Sequence, residues 1–261
     1  MKTEKEKPLI LVTNDDGIQA KGIRELVRAV LPLGRVVVVA PDRAMSGMGH
    51  AVTINDVLKM EAVSFAVPGV EAAWQTTGTP VDCVKLAIYE ILGKKPDILV
   101  SGINHGSNAS INVIYSGTMS AAVEGAVENI PSIGFSLLNH HPDADFSKCA
   151  DVVSTMVRHV LDKGLPSGTC LNVNIPDAEG TPLKGIKICR QSAGFWEDAF
   201  DKRTSPSGGT YYWMTGKFTN PDHGQDTDEW ALRNGFVSVV PTQFDLTAHH
   251  AISILNQWDL T

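Results

Sequence analysis

A doubly wound α/β fold is predicted from three features of the sequence. Short, almost wholly apolar runs recur along the chain, helical periodicity lies between them, and several runs end in loops of small and polar residues. Strands buried on both faces read as such continuous runs, and joining parallel strands takes a crossover, usually a helix. With 261 residues, 43% hydrophobic and 20% charged, the chain can build one full core of ordinary globular composition.

The elements follow in order. Leu9-Ile10-Leu11-Val12 reads as the first buried strand, and Ile23, Leu26, Val27, Val30 and Leu31 place one apolar face on a helix. Arg35-Val36-Val37-Val38-Val39-Ala40-Pro41 is the second strand and completes a βαβ unit. Residues 51–74 alternate irregularly and are expected to form a β-hairpin lying off the main sheet. Thr79-Pro80 starts a helix carrying Val81, Val84, Ile88 and Leu92, because proline suits the first helical turn. Strands are predicted at 96–101, 130–137, 171–176 and 236–241, with a small-residue helix over 119–128 and another through Val152, Val153, Met156, Val157 and Val160. The chain closes in a short amphipathic segment at Ala251, Ile252, Ile254 and Leu255.

Composition narrows the partners. A formal net charge of -7 provides no broad basic surface, so polymeric nucleic acid is not an expected partner. The charged N-terminal octet and the absence of a bilayer-length apolar stretch predict a cytoplasmic protein without membrane contacts. Cys83, Cys149, Cys170 and Cys189 lack a C-x-x-C pair and are expected to be small core residues.

Three strand-end loops carry the candidate chemistry. Thr13-Asn14-Asp15-Asp16-Gly17 follows the first strand, where ligands bind in open parallel sheets. Taken alone, Asn14, Asp15 and Asp16 could equally form a turn and cap the next helix. The second strand ends in a loop, residues 42–50, that contains Ser46 but lacks the G-x-G-x-x-G spacing of a dinucleotide site. A third loop, residues 102–108, contains Asn104 and Asn108. Together Asp15, Asp16, Ser46 and Asn104 form an all-oxygen set with two negative charges, which favours a hard divalent ion over zinc. Ser116-Gly117-Thr118 begins the small-residue helix and presents backbone N–H groups and hydroxyls to an anion, although simple N-capping accounts for the same residues. His140-His141-Pro142-Asp143-Ala144-Asp145 lacks helical spacing and is expected to be an exposed loop outside the site.

The chain closely resembles the survival protein E (SurE) family of metal-dependent 5'/3'-nucleotidases. The likeness is carried by Thr13-Asn14-Asp15-Asp16-Gly17-Ile18, Ala40-Pro41-Asp42-Arg43 with Ser46-Gly47, Gly78-Thr79-Pro80, Ser101-Gly102-Ile103-Asn104-His105-Gly106-Ser107-Asn108 and Tyr115-Ser116-Gly117-Thr118. Weaker agreement runs through Tyr211-Tyr212-Trp213 and residues 234–239. The resemblance implies that Asp15, Asp16, Ser46 and Asn104 hold one divalent ion per subunit, Mg²⁺ or Mn²⁺, with Ca²⁺ able to replace it in a crystal. It implies that Ser116, Gly117 and Thr118 line the phosphate pocket, that Asn14 and Asn108 contact substrate, and that Asp15, Asp16, Asn104, Ser116 and Thr118 serve catalysis. Two departures stand out: Ala44 where Asn is usual, and Ala109-Ser110-Ile111-Asn112 in place of Leu-Gly-x-Asp.

The expected architecture is a Rossmann-like, mostly parallel catalytic core over 1–190 and a β-rich C-terminal extension over 191–261. The extension concentrates Phe195, Trp196, Phe200, Tyr211, Tyr212, Trp213, Phe218 and Trp230. Aromatic density of this kind is expected at a subunit interface, and the family resemblance implies a homodimer or tetramer. The expected reaction is hydrolysis of nucleoside 5'- and 3'-monophosphates, with short polyphosphate as a further substrate. An aspartyl-phosphate route is disfavoured because D-x-D spacing is absent. A metal-dependent sugar deacetylase lacks its histidine before Asp15, and a non-catalytic nucleotide-binding regulator would have no need of the intact ligand set.

Overall fold

The computed structural model describes residues 6–177 and 180–260, so most of the charged N-terminal octet lies outside the described residues. The first apolar run is β1 (Leu9–Thr13), buried throughout. It leads through α1 (Lys21–Val30) to β2 (Arg35–Pro41), which pairs with it in parallel. β3 (Met60–Ala62) and β4 (Ala72–Thr76) come next, and then α2 (Pro80–Leu86), which continues as a wider helical turn to Leu92. β5 (Ile98–His105), α3 (Gly117–Val127), β6 (Ser132–Leu137), α4 (Cys149–Lys163) and β7 (Thr169–Ile175) complete the core.

The main sheet has nine strands, in the order β3-β4-β2-β1-β5-β6-β7, continued by β11 (Val237–Gln243) and β8 (Ile186–Ile188). From β4 to β7 the strands run parallel, while β3 against β4 and β11 against β7 are antiparallel. α1 packs with α4 on one face and α2 with α3 on the other. This double covering is why the central strands contain so few polar residues. All four cysteines are buried free thiols.

One expectation needs correcting. Residues 51–74 do not make a hairpin away from the sheet: β4 pairs in parallel with β2, and β3 adds beside it. Without β4 the buried β2 would present an unpaired row of backbone groups, an arrangement proteins avoid. α2 begins as read from Thr79-Pro80. Thr79 accepts from the Asp82 N–H while Asp82 reaches back to the Thr79 N–H at 2.9 Å, a reciprocal cap.

Beyond Arg190 the chain makes a long antiparallel hairpin, β9 (Phe195–Thr204) and β10 (Thr210–Thr219). It then forms α5 (Asp228–Arg233), returns to the main sheet as β11, and ends with α6 (His249–Leu255). Phe200, Tyr212, Trp213 and Met214 on the hairpin, and Ile254 and Trp258 at the end, are exposed. No helix among the described residues is long and apolar enough to cross a membrane.

Sheet order places the site. From β1 the chain moves outward to β2 and β4, then crosses back to β5 on the other side of β1. The crevice between the carboxyl ends of β1 and β5 is therefore a topological switch point, the position where open α/β sheets bind ligands. Gly22 lets α1 sit against the end of β5, since a Cβ there would lie 2.0 Å from the Ile103 carbonyl oxygen.

Candidate functional site

The turn after β1 is set by Asn14, whose side-chain amide donates to the Gly17 carbonyl at 2.9 Å. Gly17 has φ +94°, a conformation few other residues adopt. The neighbouring carboxylates are not used as caps, because α1 begins after Ala20 with no side-chain cap at all. Of the two simple roles open to Asn14-Asp15-Asp16, the turn is present and the cap is not. Asp15 and Asp16 are left facing the crevice.

Three segments converge on this pair. Met45 N–H donates to the Asp15 carbonyl at 2.7 Å, which brings the loop of the neighbouring, exposed Ser46 beside it. His105 N–H points to Asp16 Oδ2 at 3.4 Å, setting Asn104 next to the second carboxylate. Thr118 Oγ1 donates to Asp15 Oδ1 at 2.5 Å. Gly117 allows that approach, because a Cβ there would lie 2.7 Å from Asp15 Cβ.

The electrostatics are those of an incomplete cation site. Burial and, second, the charge of Asp16 push the Asp15 carboxyl up to about 6, against the pull of the Thr118 hydrogen bonds. Burial also raises Asp16, opposed by the His105 N–H. Neither carboxylate makes a salt bridge with a basic side chain among the described residues. Nearby, the buried Asn14 Oδ1 has no hydrogen-bond partner among the described residues. A buried carboxylate beside a half-buried one, without a counter-charge and next to neutral oxygens, fits a divalent cation.

Most of the residues selected from sequence meet here, though some differ in what they touch. Ser116 caps α3 by accepting from Met119 N–H at 3.0 Å, which leaves its hydroxyl proton available to an anion. Thr118, expected to line a phosphate pocket, gives its hydroxyl to Asp15 instead. Asn108, expected to contact substrate, is buried, with its amide engaged by Asn104 and by Ser136 Oγ, the latter at 2.5 Å. The loop containing His140 and His141 is exposed, as expected, yet the His140 ring covers Gly106: a Cβ there would lie 2.1 Å from His140 Cε1.

The sequence reading missed Glu124. This residue on α3 is buried between His50 Nε2 at 2.9 Å and Lys85 Nζ at 2.5 Å, so it ties the Ser46 loop and α2 to the helix that begins at Ser116. Burial would raise its carboxyl, but the hydrogen bonds from His50 and Lys85 outweigh that and hold it below its ordinary value. The available signal was a single carboxylate within a helix otherwise made of small, close-packing residues.

The unusual Ser110 also has an account. It adopts φ 55°, a conformation in which glycine would be unstrained. Its hydroxyl bridges the Ser192 carbonyl at 3.1 Å and Gly194 N–H at 3.0 Å, while its own N–H binds the buried Asp228 at 2.7 Å. Asn112 accepts from Trp196 Nε1 at 2.8 Å. Both positions fasten the loop before Ser116 to the base of the hairpin.

Known proteins resemble this chain along most of its length. A family model described as Survival protein SurE matches residues 10–198. The 5'-nucleotidase SurE of Flavobacterium psychrophilum is 59% identical, over 97% of this chain and 98% of the relative. The protein of the same name from Christiangramia forsetii is 59% identical over 98% of each. The crystal structure of the Sure protein from Aquifex aeolicus superposes with a TM-score of 0.81 at 41% identity, covering 97% of this chain and 100% of that one.

A divalent ion binding at about 100 times its dissociation constant stabilises a fold by about 2.7 kcal/mol, or about 5–10 °C for a chain of this size. Adding Mg²⁺ or Mn²⁺ to the chelator-treated protein is expected to raise the thermal midpoint by that much. Asp16→Asn should abolish the shift and raise the metal-free midpoint by relieving like-charge repulsion. An unchanged wild-type midpoint would count against the cation site.

Proposed function

This chain belongs to the survival protein SurE family, and from that membership and the site we infer that it is a nucleotidase, a phosphoric monoester hydrolase acting on nucleoside monophosphates. The observation that carries the reading is the uncompensated Asp15–Asp16 pair, the first buried and the second half-buried, beside a helix N-terminus. Asp15, Asp16, Ser46 and the Asn104 carbonyl would hold one divalent ion, Mg²⁺ or Mn²⁺. Such an ion supplies positive charge to a phosphoryl oxygen and acidity to a water.

The chain's own groups do the rest. The Ser116 hydroxyl and the first N–H groups of α3 bind the phosphoryl oxygens and meet the charge that shifts onto them in the transition state. Thr118 holds Asp15 in place. The attacking water gives its proton to the carboxylate pair as its oxygen bonds phosphorus, and the bond from phosphorus to the ribose oxygen breaks. That oxygen takes a proton from solvent, leaving nucleoside and inorganic phosphate. The relatives are named for the 5' ester; the 3' ester and short polyphosphate belong to the same proposal, since the groups described contact only the phosphoryl end. The cytoplasm, where nucleotides are held, is the expected place of work.

We also propose that the hairpin and the C-terminal segment join subunits into a dimer or tetramer, on the strength of their exposed aromatic and aliphatic side chains.

Phosphate release from a panel of nucleoside 5'- and 3'-monophosphates and a short polyphosphate, with Mg²⁺, Mn²⁺ or EDTA, tests the activity. Metal-dependent release is expected, with Asn104→Ala and Asp16→Asn slowing turnover about 100-fold or more. Release from none of these substrates would contradict the reading and favour a nucleotide-binding regulator. Light scattering should return two or four times the 28.1 kDa chain mass; a monomer at micromolar concentration would refute the subunit proposal.

A further inference from the structure

β7 carries two asparagines, Asn172 and Asn174, alternating with the apolar Leu171, Val173 and Ile175. Both side chains are buried, at 2% and 0% exposure. A buried primary amide is costly unless its donors and acceptor are matched. Here they are matched in a closed circuit around one residue. Asn108 N–H donates to Asn174 Oδ1 at 2.8 Å, Asn174 Nδ2 donates to Asn172 Oδ1 at 2.8 Å, and Asn172 Nδ2 donates to the Asn108 carbonyl at 2.8 Å. A backbone N–H can only donate and a backbone carbonyl can only accept, so the circuit runs in one direction and fixes both amides.

The clamped residue leads to the site. Asn108 Nδ2 donates to Ser136 Oγ at 2.5 Å, which turns its Oδ1 toward Asn104. Asn104 Nδ2 then lies 3.4 Å from Asn108 Oδ1 and donates to the Gly106 carbonyl at 3.1 Å. With its nitrogen engaged inside the loop, the atom Asn104 has left for the crevice is its Oδ1. That is the atom a hard cation requires.

The strand beneath allows this turn. The β5–β6 pairing shifts register between Ser101 and Asn104, and bulges of this kind re-aim side chains. Gly102, with φ +123°, sits in that shift, and a Cβ there would lie 2.4 Å from the Phe135 carbonyl oxygen. A loop leaving an irregular strand end needs an outside reference, and the asparagines of β7 supply it.

We propose that Asn172 and Asn174 are positioning residues, which clamp the Asn108 backbone and so orient the Asn104 side-chain carbonyl toward the cation. The proposal rests on the metal-site reading above, with Asn104 as a ligand. It assigns a role in the reaction to β7, a strand that itself supplies no ligand.

The test is Mn²⁺ binding by the full-length protein, titrated by electron paramagnetic resonance, together with kcat and KM for a nucleoside monophosphate. Asn172→Leu removes the amide at nearly constant volume, and Ser136→Ala removes the Asn108 anchor with little risk to folding. Residues that orient a metal ligand change affinity by about 10–100-fold when lost, so Asn172→Leu should weaken Mn²⁺ binding about ten-fold or more and Ser136→Ala by a smaller factor. kcat should fall more than KM rises. In an Asn104→Ala background the further change Asn172→Leu should have no effect on Mn²⁺ affinity, because the clamp acts through Asn104; a loss of equal size there would overturn the proposal in favour of a general structural role. Wild-type Mn²⁺ affinity in folded Asn172→Leu would overturn it, and if that variant does not fold, wild-type affinity in Ser136→Ala does so. Absence of Mn²⁺ binding by the wild-type protein would overturn both the clamp and the metal site beneath it, whereas wild-type binding with unaffected variants would remove the clamp alone.

Discussion

Two adjacent carboxylates, Asp15 and Asp16, face a crevice in which no basic side chain pairs with them among the described residues. The local architecture depends on that imbalance. A like-charge pair with one member buried and the other half-buried disfavours folding, so the surrounding elements must enforce it by contacts made elsewhere. Three close approaches do so: Gly17 against the Arg43 backbone, Gly22 against Ile103, and Gly117 against Asp15. Each admits no larger residue without displacement of backbone or of a site side chain. The short hydrogen bond from Thr118 then limits how far the Asp15 carboxylate can turn.

The pair also explains why function and stability are opposed at this point. Asp15, forced up to about 6, loses free energy whenever it is ionised without a cation, by an amount that burial sets first and Asp16 second. A divalent ion converts the same repulsion into attraction, so the arrangement selects its ligand by charge before any geometric preference operates. The N-terminus of α3 adjoins the pair, and in the proposed function a cation between the two would let a phosphate approach carboxylates that otherwise repel it.

Much of this was legible in the sequence because the signals are local. β1 and β2 are continuous apolar runs, Thr79-Pro80 carries its own capping chemistry, and Asn14-Asp15-Asp16-Gly17 lies where a strand hands over to a helix. The placement of β4 was not legible. Its short, half-buried segment follows a long irregular stretch, and only the exposed edge of β2 determines where it pairs. Contacts across the sheet were equally hidden. Thr118 meets Asp15 from 103 residues away, Asn108 meets Asn174 from 66, and His50 meets Glu124 from 74. No periodicity encodes such pairings. A residual trace existed in β7, where Asn172 and Asn174 alternate with Leu171, Val173 and Ile175: polar residues at every second position of a buried strand need partners, and the partners were at the site.

The central claim is that Asp15 and Asp16, completed by Ser46 and Asn104, form a single cation site at the switch point of the sheet. Anomalous diffraction from crystals grown with Mn²⁺ measures it most directly. The account predicts one strong peak within bonding distance of both carboxylates, Ser46 Oγ and Asn104 Oδ1. A peak centred on other side chains, or none beside Asp15 and Asp16 at saturating Mn²⁺, would contradict it.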